Sequence, residues 1–143
     1  MIRVAGRDDL AAVLALWQGA RSSHAVTPDD EHVLLELLAH DPGSLLVAED
    51  EGEIVAALIA AWDGWRGNMY RLAVVPAHRR RGIARRLVSA GEEHLHALGA
   101  RRVTALVGRD DERARSMWIA LGYEFDTAIG PARPEHLTAP WFT

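Results

Sequence analysis

Tyr70-Arg-Leu-Ala-Val-Val-Pro-Ala-His-Arg-Arg-Arg-Gly-Ile-Ala-Arg-Arg-Leu87 holds most of what this chain says about itself. It begins as a strand: Leu72, Ala73, Val74 and Val75 form a short apolar run closed by Pro76, which has no N–H to give to a ladder. Arg79-Arg80-Arg81-Gly82-Ile83-Ala84 then opens a helix. Apolar residues at Ile83, Leu87, Val88, Leu95 and Leu98 keep helical spacing up to Gly99, the expected residue just past its end. A strand that feeds a helix through small residues presents an anion with the unpaired N–H groups and the positive dipole end of the first turn. Gly82 and Ala84 leave no bulk there. Arginines at 79, 80, 81, 85 and 86 surround the same turn. A solvated basic helix start would carry the same cluster, but its place directly after a buried strand favours phosphate binding.

Two common phosphate loops are excluded. A P-loop needs Gly-Lys-Ser/Thr, and the chain contains no lysine. A dinucleotide fingerprint needs Gly-x-Gly-x-x-Gly, and a single glycine stands here. What remains is Arg79-x-x-Gly82-x-Ala84 behind Leu72-Ala-Val-Val-Pro76. It resembles the acyl-CoA pyrophosphate loop of the GNAT superfamily of N-acyltransferases, Gln/Arg-x-x-Gly-x-Gly/Ala. A second segment, Asp111-Glu-Arg-Ala-Arg-Ser-Met-Trp-Ile-Ala-Leu-Gly-Tyr-Glu124, is similar to that family's later helix-and-strand motif. Ala114, Gly122 and Tyr123 match it, Asp111 replaces the usual Asn, and Trp118 replaces the usual Tyr. The order and separation of the two motifs also agree, so the resemblance covers residues 44–126.

The chain has 143 residues, enough for one domain with a substantial core, and its 49% hydrophobic and 25% charged content is that of a soluble globular protein. Without cysteine there is no disulfide framework, thiolate metal site or cysteine nucleophile. Seven histidines are scattered, and the His94/His96 spacing does not share a helix face, so no metal site is expected. Charges in the first ten residues exclude a signal peptide, and no apolar run approaches the ~18 residues of a membrane span. The expected location is the cytoplasm. A net charge of −4, with the basic charge gathered in one loop, argues against a nucleic-acid binder, whose binding would be steeply salt-dependent.

Along the chain, Ile2–Ala5 reads as a first strand and Leu10, Val13, Leu14 and Trp17 as a helix capped by Asp8 or Asp9. Thr27-Pro28-Asp29-Asp30-Glu31 reads as a second helix start, with Thr27 as cap and Pro28 in the first position; the helix ends at His40-Asp41-Pro42-Gly43. Ser44–Ala48 and Ile54–Trp62 are strands joined by an acidic hairpin turn at Glu51-Gly52. Asp63-Gly64-Trp65-Arg66-Gly67 turns into the strand Asn68–Val75. After the helix to Gly99, Arg102–Val107 is a strand lying beside Tyr70–Val75 through a right-handed crossover. A helix over Glu112–Leu121 and a strand over Tyr123–Asp126 follow. Residues 128–143 are expected to be an irregular tail, either ending in a short strand or docked through Trp141 and Phe142. The fold class is α/β (α+β): a mixed, mostly antiparallel central sheet flanked by about four helices, in the order β-α-α-β-β-β-α-β-α-β.

The resemblance implies a single acyl-CoA N-acyltransferase domain over 1–143. It implies acetyl-CoA as co-substrate, held by Leu72, Ala73 and Val74 of the opened strand, by Arg79, Arg80, Arg81, Gly82, Ile83, Ala84 and Arg85 of the loop, and by Asp111, Ala114 and Trp118 of the later helix. A primary amine of a small molecule or peptide would attack the thioester directly, with a backbone N–H near Val74 facing the oxyanion. The family's tyrosine is thought to protonate the leaving thiolate. Trp118 cannot do so, and Ser116 and Tyr123 are the substitutes to consider. Asp63, Tyr70 and Glu31 are the candidate general bases. The acceptor pocket is expected between the two N-terminal helices and the Trp62–Asn68 turn, walled by Trp62, Trp65 and Tyr70 with Asp29, Asp30 and Asp63 attracting a cation. A catalytically weak acyl-CoA-binding regulatory module is the alternative that Trp118 keeps open. No nucleic-acid or membrane partner is expected, and a homodimer is left open.

Overall fold

A computed structural model describes residues 1–20, 30–107, 111–125 and 135–138. The elements are β1 (Ile2–Val4), α1 (Leu10–Ala20, entered through a 3-10 turn at Arg7–Asp9), α2 (Glu31–His40), β2 (Leu45–Asp50), β3 (Glu53–Trp62) and β4 (Gly67–Val74). After a 3-10 turn at Pro76–His78 come α3 (Ile83–Leu98), β5 (Val103–Val107), α4 (Glu112–Ala120), β6 (Glu124–Phe125) and β7 (Glu135–Thr138). The expected order holds and gains one strand: Glu135–Thr138, within the tail read from sequence as irregular or ending in a short strand, is paired in the sheet. Trp141 and Phe142 lie outside the described residues.

The sheet runs β1-β2-β3-β4-β5-β7-β6. Every neighbouring pair is antiparallel except β4 and β5. Glu51 (φ 51°) and Gly52 (φ 80°) are both left-handed, the backbone of a two-residue type I′ turn that matches the twist of β2 and β3. Strand alternation divides the core. Leu58, Ala60, Met69 and Val103 face α3, whose Leu87 and Leu95 are fully buried against them. Leu45, Val47 and Ala57 face α1 and α2, meeting Leu10, Val13 and Leu34. Helix α3 sits close to the sheet at Gly91, where a Cβ would lie 3.0 Å from Met69 Cε and 3.1 Å from Leu58 Cδ2.

Two helix starts differ from their sequence reading. Neither Asp8 nor Asp9 is the cap of the first helical stretch; Gly6 is, and Asp9 Oδ2 reaches back to accept its N–H at 2.7 Å. Asp9 also receives both Arg3 guanidinium nitrogens at 2.8 and 2.9 Å, which with the Gly6 amide pushes its carboxyl down to about 2. Helix α2 begins at Glu31 and is capped by Asp30, which accepts His32 N–H at 2.8 Å, so the helix starts later than the Thr27-Pro28 signal suggested. Thr27, Pro28 and Asp29 lie outside the described residues. Among the described residues, no helix is long and apolar enough to cross a membrane.

Candidate functional site

Strand β4 pairs with β3 along its whole length, from Gly67 opposite Trp62 to Val74 opposite Ala56. With β5 it pairs only at Gly67↔Val103, Asn68↔Thr104 and Met69↔Ala105. Beyond Met69 the β4–β5 ladder stops, and among the described residues no strand pairs with the β5-facing edge of Tyr70–Val74. Val75 N–H donates to Val55 O at 2.9 Å, so by alternation the N–H and C=O of Val74 face the open side. An unpaired strand edge of this kind can receive an extended chain by backbone hydrogen bonding.

A bulge stands where the fork begins. Ala57 faces Ala73 and Ile59 faces Tyr70, so Arg71 and Leu72 together oppose Leu58 alone. Arg71 takes φ 59°, a left-handed conformation that costs a non-glycine residue about 1–2 kcal/mol. Its carbonyl leaves the sheet for α1, where Trp17 Nε1–H donates to it at 2.8 Å. No sequence signal marked either residue for this role, since arginine is a poor left-handed residue and Trp17 reads simply as core.

The loop that follows is shaped for an anion. Arg80 (φ 63°) and Gly82 (φ 77°) are both left-handed, and left-handed residues in a turn help to gather successive N–H groups into a concave nest. Gly82 is the N-cap of α3; its carbonyl accepts Arg86 N–H at 3.1 Å and no side chain caps the helix. The Ile83, Ala84 and Arg85 amides of the first turn therefore have no partner inside the helix. Among the described residues beyond its chain neighbours, nothing lies within 4 Å of a Cβ placed on Gly82, so that side of the turn is open. Two of the five arginines tie the site together: Arg79 Nε donates to Val74 O at 3.1 Å, and Arg85 donates to Ala120 O at 3.0 Å. Arg80, Arg81 and Arg86 are exposed.

Helix α4 closes one side. Asp111 caps it, accepting Ala114 N–H at 3.2 Å. Trp118 is buried in the same apolar cluster as Val74, Ile83 and Val107, and it meets Tyr123 edge-on with ring centroids 4.8 Å apart. The Tyr123 hydroxyl donates to Glu92 Oε2 at 3.1 Å; burial and the Glu92 charge hold it firmly protonated. Ser116 is exposed, two residues from Trp118 and thus on the opposite side of the helix. The Tyr123 ring touches the Trp118 ring, but its hydroxyl is spent on Glu92, and Ser116 points away.

On the other face of the sheet, Asp63 and Tyr70 come together at the base of the fork. Asp63 Oδ1 accepts the N–H groups of Arg66 (2.7 Å) and Trp65 (2.8 Å), and Asn68 Nδ2 lies 3.5 Å from Oδ2. These donors, the Arg66 amide first, lower the Asp63 pKa and keep it ionised. Burial, then the Asp63 charge, raises the Tyr70 phenol. An acid whose pKa is lowered is a weaker base and a good fixed negative charge. The expected aromatic wall is divided. Trp62 packs against the α3-side core, away from Tyr70, because alternation sends it across the sheet with Leu58 and Ala60. Trp65 is 71% exposed at the hairpin tip, with the Arg66 guanidinium 4.3 Å over its ring. Glu31 is exposed in the first turn of α2, and Asp30 is engaged as its cap. Among the described residues, no group of three or more His, Asp or Glu is placed to hold a metal ion.

Comparison with known proteins agrees with this geometry. The family model described as "Acetyltransferase (GNAT) family" matches residues 10–123. An acetyltransferase of Sodalis glossinidius (strain morsitans) is 37% identical over 128 residues, covering 90% of this chain and 89% of its own. Among solved structures, diaminobutyrate acetyltransferase EctA from Paenibacillus lautus, in complex with L-2,4-diaminobutyric acid and coenzyme A, superposes with a TM-score of 0.75 at 19% identity, over 100% of this chain and 96% of that one. The yncA protein of Salmonella typhimurium, with its cofactor acetyl-CoA, gives 0.72 at 20% identity, over 96% and 90%. At these identities the two structures speak for the fold alone.

Proposed function

This chain belongs to the acetyltransferase (GNAT) family and is an acyltransferase, and from that premise we propose that it moves an acetyl group from acetyl-CoA to a primary amine of a small molecule or peptide. Transfer is direct, in a ternary complex, within one acyltransferase domain working in the cytoplasm. The observation that carries this reading is the junction of an unpaired β4 edge with an uncapped α3 N-terminus, joined by the Arg79 bond to Val74 O. The coenzyme-bound neighbours support it.

In this reading the diphosphate lies on the nest from Arg80 to Ala84 and on the first-turn amides of α3. The pantetheine arm lies along the open edge of Leu72, Ala73 and Val74. The amine nitrogen forms the C–N bond with the thioester carbonyl, whose oxygen takes up negative charge facing the Val74 N–H. The C–S bond then breaks, the thiolate leaves, and the new ammonium loses its proton to water. Holding both reactants in line supplies most of the acceleration. Trp118 offers an N–H donor and an apolar wall but no acid. A thiol with a pKa of about 8.5 leaves tolerably as its anion, so none is required. Asp63 acts as a fixed charge that draws a cationic amine to the base of the fork, with Tyr70 beside it.

The test is thiol release from acetyl-CoA across a panel of diamines, amino acids and peptide N-termini. Turnover with a cationic small amine supports the proposal. Tight coenzyme binding without release for any acceptor would instead support the regulatory binding module, the alternative that Trp118 in place of a tyrosine keeps open.

A further inference from the structure

A left-handed arginine in the middle of a strand persists only where its surroundings over-determine it. One support at Arg71 is an indole. Trp17 is 3% exposed in the α1-side core, and its ring nitrogen donates to the Arg71 carbonyl at 2.8 Å. That carbonyl belongs to the bulge, and the bulge brings Tyr70 and Ala73 to one face of the sheet although they are three residues apart. It also begins two residues beyond Met69, where pairing with β5 ends. The direction of the Val74 N–H therefore depends on the bulge keeping its shape, and the bulge carbonyl is fixed from α1.

We propose that Trp17 is a positioning residue for acetyl transfer: by holding the Arg71 carbonyl, its indole N–H keeps the β4 bulge in the conformation that aims the Val74 amide into the fork. This rests on reading the fork as the transfer site. Trp17 touches neither reactant; it acts through the backbone of Arg71.

The experiment replaces Trp17 by Phe, alone and with Arg71→Gly, because glycine adopts the left-handed conformation unaided. Measured are kcat and KM with an amine found active in the panel, the CoA dissociation constant by calorimetry, and the melting temperature. For Trp17→Phe alone, kcat should fall roughly tenfold, about 1.4 kcal/mol of transition-state stabilisation, while CoA affinity stays within about threefold because the phosphate nest is untouched. In the Arg71→Gly background the same change should lower kcat by less than about threefold, since the bulge no longer needs the indole. A folded Trp17→Phe enzyme with wild-type kcat would overturn the proposal, as would an equal loss in both backgrounds, which would mark a packing effect. Where Trp17→Phe does not fold, benzothienylalanine at this position keeps the shape and lacks the N–H, and full kcat for that protein would overturn it too. Wild-type protein that binds no CoA would refute the reading of the fork instead, so the two failures are distinguishable.

Discussion

Gly82 separates backbone conformation from ligand charge at one position. It sits at φ 77°, ψ 9°, and among the described residues beyond its chain neighbours no atom lies within 4 Å of the place a Cβ would take, so a Cβ there meets backbone strain without a clash. Strain alone costs about 1–2 kcal/mol for Ala, Glu or Arg alike, which lowers the melting temperature by about 3–7 °C in a domain of this size. Charge then splits the three variants. A carboxylate about 5–6 Å from a diphosphate repels each phosphate charge by about 3 kcal/mol at an effective dielectric of about 20. Exposure and salt reduce the net effect to about 1–2 kcal/mol. Calorimetry with CoA should therefore show Gly82→Glu binding about five- to thirtyfold more weakly than Gly82→Ala, with Gly82→Arg at or above Ala. The gap should narrow as salt is raised. Equal affinities for the folded Glu and Ala variants would refute the placement of the diphosphate on this turn.

Other perturbations reach other parts of the molecule. At Gly91 a methyl group gains about 1 kcal/mol of helix propensity and loses a similar amount against Met69 and Leu58, so Gly91→Ala should leave denaturant stability nearly unchanged while Gly91→Leu costs about 3 kcal/mol or more. Trp118→Tyr should preserve or raise turnover while costing about 1–2 kcal/mol of stability in a packed site; near-total loss of activity in a folded variant would assign the indole a role beyond packing. Asp9 has a depressed folded pKa, so its stabilisation is present above the ordinary value of 3.8 and is lost as pH falls through about 2. Asp9→Asn should flatten thermal stability against pH across that window, and an unchanged acid limb would remove Asp9 from the account. With Asp63 held ionised and Tyr70 held neutral, log kcat/KM should rise with pH at about unit slope up to the pKa of the amine used, and move when the amine is changed. A break at a fixed pH for every amine would reveal a protein base.

The parts legible in sequence were those encoded by neighbouring residues. Apolar spacing from Ile83 to Leu98 and the closing Gly99 set out α3, and Pro76 and Gly82 punctuated the loop with almost no error in its boundaries. Glu51-Gly52 specified its own turn. Competing local signals caused the misplaced caps: Asp8, Asp9, Thr27 and Asp30 all favour helix starts, and tertiary contacts such as the Arg3–Asp9 pair select among them. The strand Glu135–Thr138 is too short and too polar to show a period of two and exists because β5 offers it an edge. Trp62 was misassigned because strand parity counts from a register that only pairing defines. The bulge was hidden for a stronger reason: nothing in Arg71 prefers a left-handed backbone.

The bonds from Arg79 to Val74 and from Arg85 to Ala120 also mean that the five cationic side chains of the loop are not interchangeable. Two act as mortar, tying strand, loop and the last turn of α4 into one frame, and the exposed Arg80, Arg81 and Arg86 remain to meet counter-ions. Replacing Arg79 or Arg85 therefore disturbs architecture first and attraction second, whereas the other three can each be exchanged for another cation with the frame intact.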